Sequence, residues 1–260
     1  DTFPAIALAG AYLHDKKGVG AEEAVAFCPV DPYVEDGYFS AVRALTALAA
    51  EQGGLFLMGI EPTYSSAKYG YIFPLDEGRI SKVRSFEEKP TEEAAAAYIE
   101  RGALWNSGVF ACRLGYVLEK ARVLLGVSGY EALLEKYEAI DPISFDYAVV
   151  EKETDLSVLR YAGTWKDLGT WNTLTEIMET PSIGDVTMDE GCEKTEVVNE
   201  MDVPVLCMGL RDMVVAASPE GILVADKHSS SYIKPYVETF TRQARFAEKS
   251  WGKFQIIDVE

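Results

Sequence analysis

The amino-acid sequence predicts an α/β fold in which an open, doubly wound and mostly parallel sheet is followed by a smaller β-rich domain. Three observations point there. Over the first two thirds, strand-like apolar runs alternate with segments of helical period, the pattern of a sheet with helices on both faces. After about Pro181 the texture changes to short β-rich pieces separated by turn residues. The composition, 48% hydrophobic and 25% charged over 260 residues, is that of a globular chain long enough for more than one domain.

Ala24 to Val30 is a short apolar run that ends in Pro29-Val-Asp-Pro32. From Tyr38 to Gln52, Phe39, Val42, Leu45 and Leu48 recur at helical spacing, and Gly53-Gly54 stops the pattern. Leu55 to Ile60 is the next apolar run, a stretch punctuated by Pro and Gly covers Glu61 to Phe73, and Ile80 to Val83 is strand-like. Thr91 suits an N-cap, with Glu92 and Glu93 at the positive end of the dipole and Gly102 just past the helix end. Val109 to Arg113 reads as strand, Tyr116 to Leu125 and Tyr130 to Ile140 as helices. Ser144 caps a further helix through Lys152, and Leu156 to Tyr161 returns to strand. The later β pieces are Glu196–Asn199, Val203–Met208, Met213–Ala217 and Ile222–Ala225. Without a clean repeat, a β-helix is one arrangement they allow. Ser230 to Lys249 reads as a closing helix. The expected division is 1–178, 179–245 and a tail over 246–260.

No run approaches the roughly 20 apolar residues needed to cross a bilayer. The opening Asp1-Thr-Phe-Pro-Ala-Ile-Ala-Leu-Ala-Gly10 is apolar but short and lacks a basic start, which argues against a secretion signal. A net charge of -18 argues against a nucleic-acid partner. It leaves room for a nucleotide substrate, because a metal ion in one pocket can overrule the global field. Cys28, Cys112, Cys192 and Cys207 form no CxxC pair, and His14 and His228 stand far apart, too sparse a set for structural zinc. Reduced thiols and a cytoplasmic location are the expectation.

Ligands of open α/β sheets bind beyond the carboxyl ends of strands. Asp31 stands at such an end and could hold a magnesium ion (Mg²⁺) by one oxygen, or simply open a turn before Pro32. Asp167 lies between two tryptophans in Trp165-Lys-Asp-Leu-Gly-Thr-Trp171, as a functional loop residue or as the cap of an aromatic corner. In Phe86-Glu-Glu-Lys-Pro90, Lys89 is a mobile point charge suited to phosphate and Glu88 a carboxylate suited to sugar hydroxyls; a solvated turn has the same composition. Asn106 in Trp105-Asn-Ser-Gly108 can donate and accept, or the segment is a strand-entry turn. Gly70 in Tyr69-Gly-Tyr71 leaves a backbone gap for a ligand or marks a bulge.

The order of these pieces is more specific than any one of them. Gly59-Ile-Glu-Pro-Thr63, Tyr69-Gly-Tyr-Ile72, Phe86-Glu-Glu-Lys-Pro90, Trp105-Asn-Ser-Gly-Val-Phe110, Ser144-Phe-Asp-Tyr147 with Glu151-Lys152, and Asp167-Leu-Gly-Thr-Trp171 together resemble mannose-1-phosphate guanylyltransferases. Pro29-Val-Asp-Pro-Tyr33 looks like that family's metal-Asp segment, with Val-Asp-Pro where many relatives have Ala-Asp-His. Asp1-Thr-Phe-Pro-Ala-Ile-Ala-Leu8 looks like its Asn-Thr-Ala-Pro-Ala-Ile-Ala segment. The likeness covers residues 1–175 and runs more loosely to the end.

The resemblance implies a Rossmann-like nucleotide-diphospho-sugar transferase fold. It implies magnesium on Asp31 and Asp167, sugar contacts from Gly70, Glu88 and Asn106, and a phosphate contact from Lys89. The implied reaction joins mannose 1-phosphate to GTP, giving GDP-mannose and pyrophosphate. The family's Gly-rich NTP loop has no counterpart before Asp1, so the resemblance implies an N-terminally truncated form whose own activity is in question. Trp251-Gly-Lys-Phe254 looks like the opening of a cupin domain. A sheet lacking its first strands would expose an edge that invites homo-oligomers. The rivals are another NDP-sugar pyrophosphorylase and a non-catalytic sugar-phosphate-binding or regulatory module.

Overall fold

Every residue of Leu55-Phe-Leu-Met-Gly-Ile60 is buried in the computed structural model, which describes residues 1–239 and the backbone of 246–249 and 252–255. Burial at consecutive positions needs cover on both faces of a strand, and helices supply it. Two compact units divide the chain, Asp1–Trp165 and Lys166–Glu260.

The first unit runs α1 (Thr2–Lys17), β1 (Ala24–Phe27), β2 (Pro32–Val34), α2 (Asp36–Gln52), β3 (Leu55–Ile60), β4 (Tyr71–Pro74), β5 (Ile80–Glu87), α3 (Glu92–Glu100), β6 (Leu104–Arg113), α4 (Leu114–Leu125), α5 (Tyr130–Lys136), α6 (Phe145–Ala148) and β7 (Leu156–Tyr161). Phe56, Met58 and Ile60 of β3 pack on Tyr38, Ala41, Leu45 and Ala49 of α2 and Ala95 of α3. Leu55 and Leu57 point the other way, onto Phe3 of α1, Val117 of α4 and Phe145 and Ala148 of α6. The two-faced, helix-covered sheet is as expected.

Its directions are not. The main sheet is ordered β1-β6-β3-β7-β5-β4, and only β3 and β7 run parallel. β6 is antiparallel to β1, β3 and β4, and β5 is antiparallel to β4 and β7. Because β6 pairs with both β3 and β4, strands β3, β7, β5, β4 and β6 close into a small barrel rather than an open sheet. Alternation of strands and helices does not encode this: β4 and β5 form a hairpin, which must be antiparallel, and β6 inserts in reverse beside β3.

Local signals fare better. The Thr91 side chain accepts from the Ala94 amide at the start of α3, and Gly102 follows that helix at φ 77°. Ser144 caps α6 through the Tyr147 amide, but α6 ends at Ala148 and a 3₁₀ turn covers Val150–Lys152. The apolar opening is a helix, not anticipated as one, because its small residues carry no clear period. Asp1 caps it and Gly18 closes it at φ 70°. A Cβ on Gly10 would stand 3.1 Å from Val117, which shows how closely α1 lies on α4.

β8 (Trp165–Asp167) leads into the second unit, which holds α7 (Trp171–Thr175), β9 (Ser182–Ile183), β10 (Val186–Met188), β11 (Glu196–Asn199), β12 (Val205–Cys207), β13 (Met213–Ser218), β14 (Gly221–Asp226), α8 (Lys234–Val237), β15 (Phe246–Lys249) and β16 (Gly252–Gln255). Val197 pairs in parallel with Ser182 on one side and Val215 on the other, and Val186 pairs in parallel with Val205. These are stacked coils around Val197, Cys207 and Val215. The buried Asn199 amide nitrogen donates to the carbonyls of Asp185 (2.9 Å) and Val203 (2.8 Å), supporting the coil corners. The predicted helix over Ser230–Lys249 is instead a 3₁₀ turn at Ser229–Tyr232, the short α8, and strand at Phe246–Lys249. Pro235, in the first turn of α8, has no N–H to continue a preceding helix. Of the tail segment, Ser250, Trp251 and residues 256–260 lie outside the described residues.

Gly59 sits where the β3–β6 register shifts, and a Cβ there would stand 2.7 Å from Leu104 and 2.8 Å from Val158. Gly59→Ala is therefore expected to destabilise the protein by about 1–3 kcal/mol through overpacking. Urea unfolding measures this, and an unchanged midpoint would show that the bulge relaxes freely.

Candidate functional site

Between Leu57↔Phe110 and Gly59↔Asn106, β6 carries two more residues than β3. Ladder pairing fails there, and side chains replace it. Ser107 Oγ donates to the Met58 carbonyl (2.9 Å), and Asn106 Oδ1 accepts from the Gly108 amide (3.2 Å), with Gly108 at φ 73°. The Asn106 amide donates to the Gly70 carbonyl (2.8 Å), and Asn106 Nδ2 donates to Asp146 Oδ1 (2.7 Å). Both ends of the buried amide are thus oriented, with one hydrogen and one lone pair to spare.

Gly70 precedes β4 and faces the segment after β5. A Cβ on Gly70 would lie 2.5 Å from Glu88 Oε2 and 2.7 Å from the Phe86 ring, so no other residue fits without moving Glu88. Glu88 Oε1 pairs with Lys89 Nζ at 3.0 Å, while Oε2 is buried without a partner. The Glu88 side chain is 6% exposed and that of Lys89 53%. Lys89 holds φ at 47°, a strained conformation for a residue with a side chain, of the kind that clusters at ligand sites.

The electrostatics follow from this crowding. Burial pushes the Glu88 carboxyl above its ordinary range; the charges of Asp146 and Glu151 add to the rise, and Lys89 opposes it. Burial likewise raises Asp146, against the Asn106 hydrogen bond, the helix amide and Lys89. For Lys89, burial pulls downward, but the Glu88 carboxylate outweighs it and the ammonium is held above its usual value.

The structure therefore brings Gly70, Glu88, Lys89 and Asn106 together, as sequence order suggested. It adds Asp146, which sequence reasoning placed within the Ser144-Phe-Asp-Tyr147 motif but gave no role. Asp31 is exposed, beyond the carboxyl end of β1. A Cβ on Gly108 would meet Pro29 at 3.2 Å, so the segment leading to Asp31 runs beside the β6 bulge. Asp167 belongs to the second unit, half-buried, with Oδ1 accepting from the Gly169 amide (2.8 Å).

Carboxylate oxygens are the hard donors magnesium takes, and that ion keeps several waters, so one or two carboxylates suffice to hold it. Asp31 and Asp167 fit that donor chemistry. Among the described residues, no group of three or more His, Cys, Asp or Glu gathers to hold a metal by itself. The four cysteines form no disulfide, and no helix among the described residues is long and apolar enough to cross a membrane.

The family described as Nucleotidyl transferase matches residues 1–182. An alginate biosynthesis protein AlgA of Pseudomonas putida is 28% identical, over 100% of this chain and 59% of that protein. A mannose-1-phosphate guanylyltransferase of Escherichia coli (strain K12) is 29% identical, over 99% of this chain and 61% of that protein. The chain thus spans about three fifths of the length of these curated relatives. Among solved structures, one described as mannose-1-phosphate geranyltransferase from Thermus thermophilus is similar with a TM-score of 0.71 and 30% identity, over 92% of this chain and 74% of that one. The match of the family over residues 1–182 and this likeness in both sequence and fold establish that the chain belongs to the nucleotidyl transferase family.

Proposed function

We propose that the protein acts in guanylyl transfer to mannose 1-phosphate, with its first unit holding the sugar phosphate. The observation that carries this reading is the convergence of Gly70, Glu88, Lys89, Asn106 and Asp146. Two buried carboxylates and an oriented amide suit hydroxyl groups, and an exposed ammonium suits a phosphate. The names of the curated relatives support the choice of sugar and base.

In this reading an oxygen of mannose 1-phosphate attacks the α-phosphorus of GTP in line. The new phosphorus–oxygen bond forms as the bond to the β-phosphate oxygen breaks, and pyrophosphate leaves. The attacking phosphate is already anionic, so no protein nucleophile is required, and the residues position and neutralise. Glu88 Oε2, which lacks a partner, accepts a hydrogen bond from a sugar hydroxyl. Asn106, held by Asp146 and Gly108, supplies its second amide hydrogen. Lys89 holds the sugar phosphate. Asp31 and Asp167 would hold magnesium, which when bound offsets the charge of the phosphates.

Mannose 1-phosphate is expected to bind this chain with magnesium in calorimetry, more tightly than glucose 1-phosphate. Asn106→Ala should weaken binding by about tenfold or more, as expected when a buried polar group loses its partner, and Gly70→Ala should do the same because its Cβ displaces Glu88. Full-strength binding by both variants would remove the cluster from the reading. Asp167→Asn is expected to lower turnover of the enzyme by about 10²–10³, the scale of one lost electrostatic contact in the transition state, while leaving thermal unfolding nearly unchanged. Near-normal turnover would take Asp167 out of the metal site.

Glu88 also predicts a pH effect. Its folded carboxyl binds a proton more tightly than the unfolded one, whose ordinary value is 4.5. Its contribution to stability is present below that value and is lost as pH rises through the higher folded value. In Glu88→Gln this loss should vanish, so the melting temperature of the variant relative to the parent should climb from pH 4 to pH 8. A flat difference would mean that Glu88 titrates as in water.

A further inference from the structure

A cleft of about 380 Å³ in the first unit is lined by Arg84, Arg101 and Arg160 along with Phe73, Asp76 and Gly102, and by none of the residues of the sugar-phosphate cluster. Three guanidinium groups around one cleft stand out in a chain of net charge -18. Each arrives by a separate device.

On β5, Ser85 faces Phe73 while Val83 faces Pro74, which leaves Arg84 as the extra residue of a β-bulge. Bulges re-aim the side chain they displace and recur next to functional sites. Arg101 caps the end of α3 and lies over the Phe73 ring at 5.0 Å. Arg160, on β7, donates through Nη1 to Glu61 (2.9 Å) and through Nη2 to the Asp76 carbonyl (3.2 Å), and its Nε is buried without an acceptor. Neither Arg84 nor Arg101 makes an ion pair among the described residues. Of the two acids at the cleft, Asp76 accepts from the Gly78 amide within its own turn (2.8 Å), and Glu77 is exposed at the hairpin tip.

We propose that this cleft binds the phosphate group of a small phosphorylated metabolite. Planar guanidinium groups match phosphate oxygens two at a time. Two unpaired arginines with a third whose N–H lacks an acceptor describe a site short of an anion. The placement also has a consequence. Arg84 stands on the strand that leads into Glu88 and Lys89, and Arg101 ends the helix that follows them. A phosphate gripped by both ties together the two ends of the segment that carries those site residues.

The test is a titration of the full, ¹⁵N-labelled chain with inorganic phosphate, following the arginine Nε–Hε resonances at constant ionic strength against sodium chloride. Saturable shifts are expected for Arg84, Arg101 and Arg160. Arg84→Ala should weaken the apparent affinity by about fivefold or more, as loss of a bidentate partner implies. Arg101→Gln should do the same, and the amide spectrum reports whether either variant has kept its fold. Lys89→Ala should leave the titration unchanged, which separates this cleft from the sugar-phosphate cluster and makes the result independent of the proposed transfer reaction. The proposal is overturned by shifts that match those in sodium chloride, by saturation that survives both arginine substitutions in folded protein, or by saturation that Lys89→Ala abolishes.

Discussion

Strand β6 carries the constraint on which the first unit depends. It borders β3 along one edge and divides the other between β1 and β4, over 10 residues. A strand with that many neighbours cannot leave backbone groups unpaired in its buried middle. Yet its register against β3 slips by two residues there. Ser107 takes up the Met58 carbonyl and Asn106 the Gly108 amide, so the residues that repair the ladder are the ones that form the floor of the site. The Asn-Ser-Gly sequence is what the irregularity demands before any ligand is considered. Barrel closure and site geometry are one solution.

That floor supports an electrostatically costly roof. Glu88 and Asp146 are buried with Glu151 near enough to raise both, and Lys89 is their common cation. A buried carboxylate oxygen without a donor is retained at a loss of stability, and Lys89 adds backbone strain at φ 47°. Neither feature helps the chain to fold. In the proposed reading, hydroxyl donors of a sugar phosphate would satisfy Glu88 Oε2 and its phosphate would meet the Lys89 ammonium. The net negative field of the chain makes local cations necessary for such a ligand.

What was legible in the sequence was local. Leu55–Ile60 announces a strand covered on both faces by its unbroken apolarity, and Thr91 and Ser144 announce helix starts by their hydroxyls. The Glu88, Lys89 and Asn106 cluster was legible only as an ordered set of short motifs, each one ambiguous. Strand direction was not legible, since pairing β6 in reverse between β1 and β3 is a long-range choice with no period to betray it. Asp146 escaped because its role is made across a separation of 40 residues, by the hydrogen bond from Asn106. Arg84 escaped because its direction is set by a bulge, and a register slip leaves no mark in composition. The expected helix through Lys249 failed at Pro235, a signal that was present and outweighed by the surrounding pattern.

The segment between β5 and β6 lies between the arginine cleft and the cluster of Glu88, Lys89 and Asn106. It follows the strand that carries the Arg84 bulge, passes through Glu88 and the strained Lys89, is re-anchored by the Thr91 cap, and returns through Arg101 to the strand that presents Asn106. Capping fixes the helix and the ladder fixes the strands, and Glu88 to Pro90 is the short stretch that joins them. Positive charge flanks this stretch and also sits within it, while the side chain of its one acid, Glu88, is buried. Lys89 is the residue at which backbone strain and an exposed ammonium coincide.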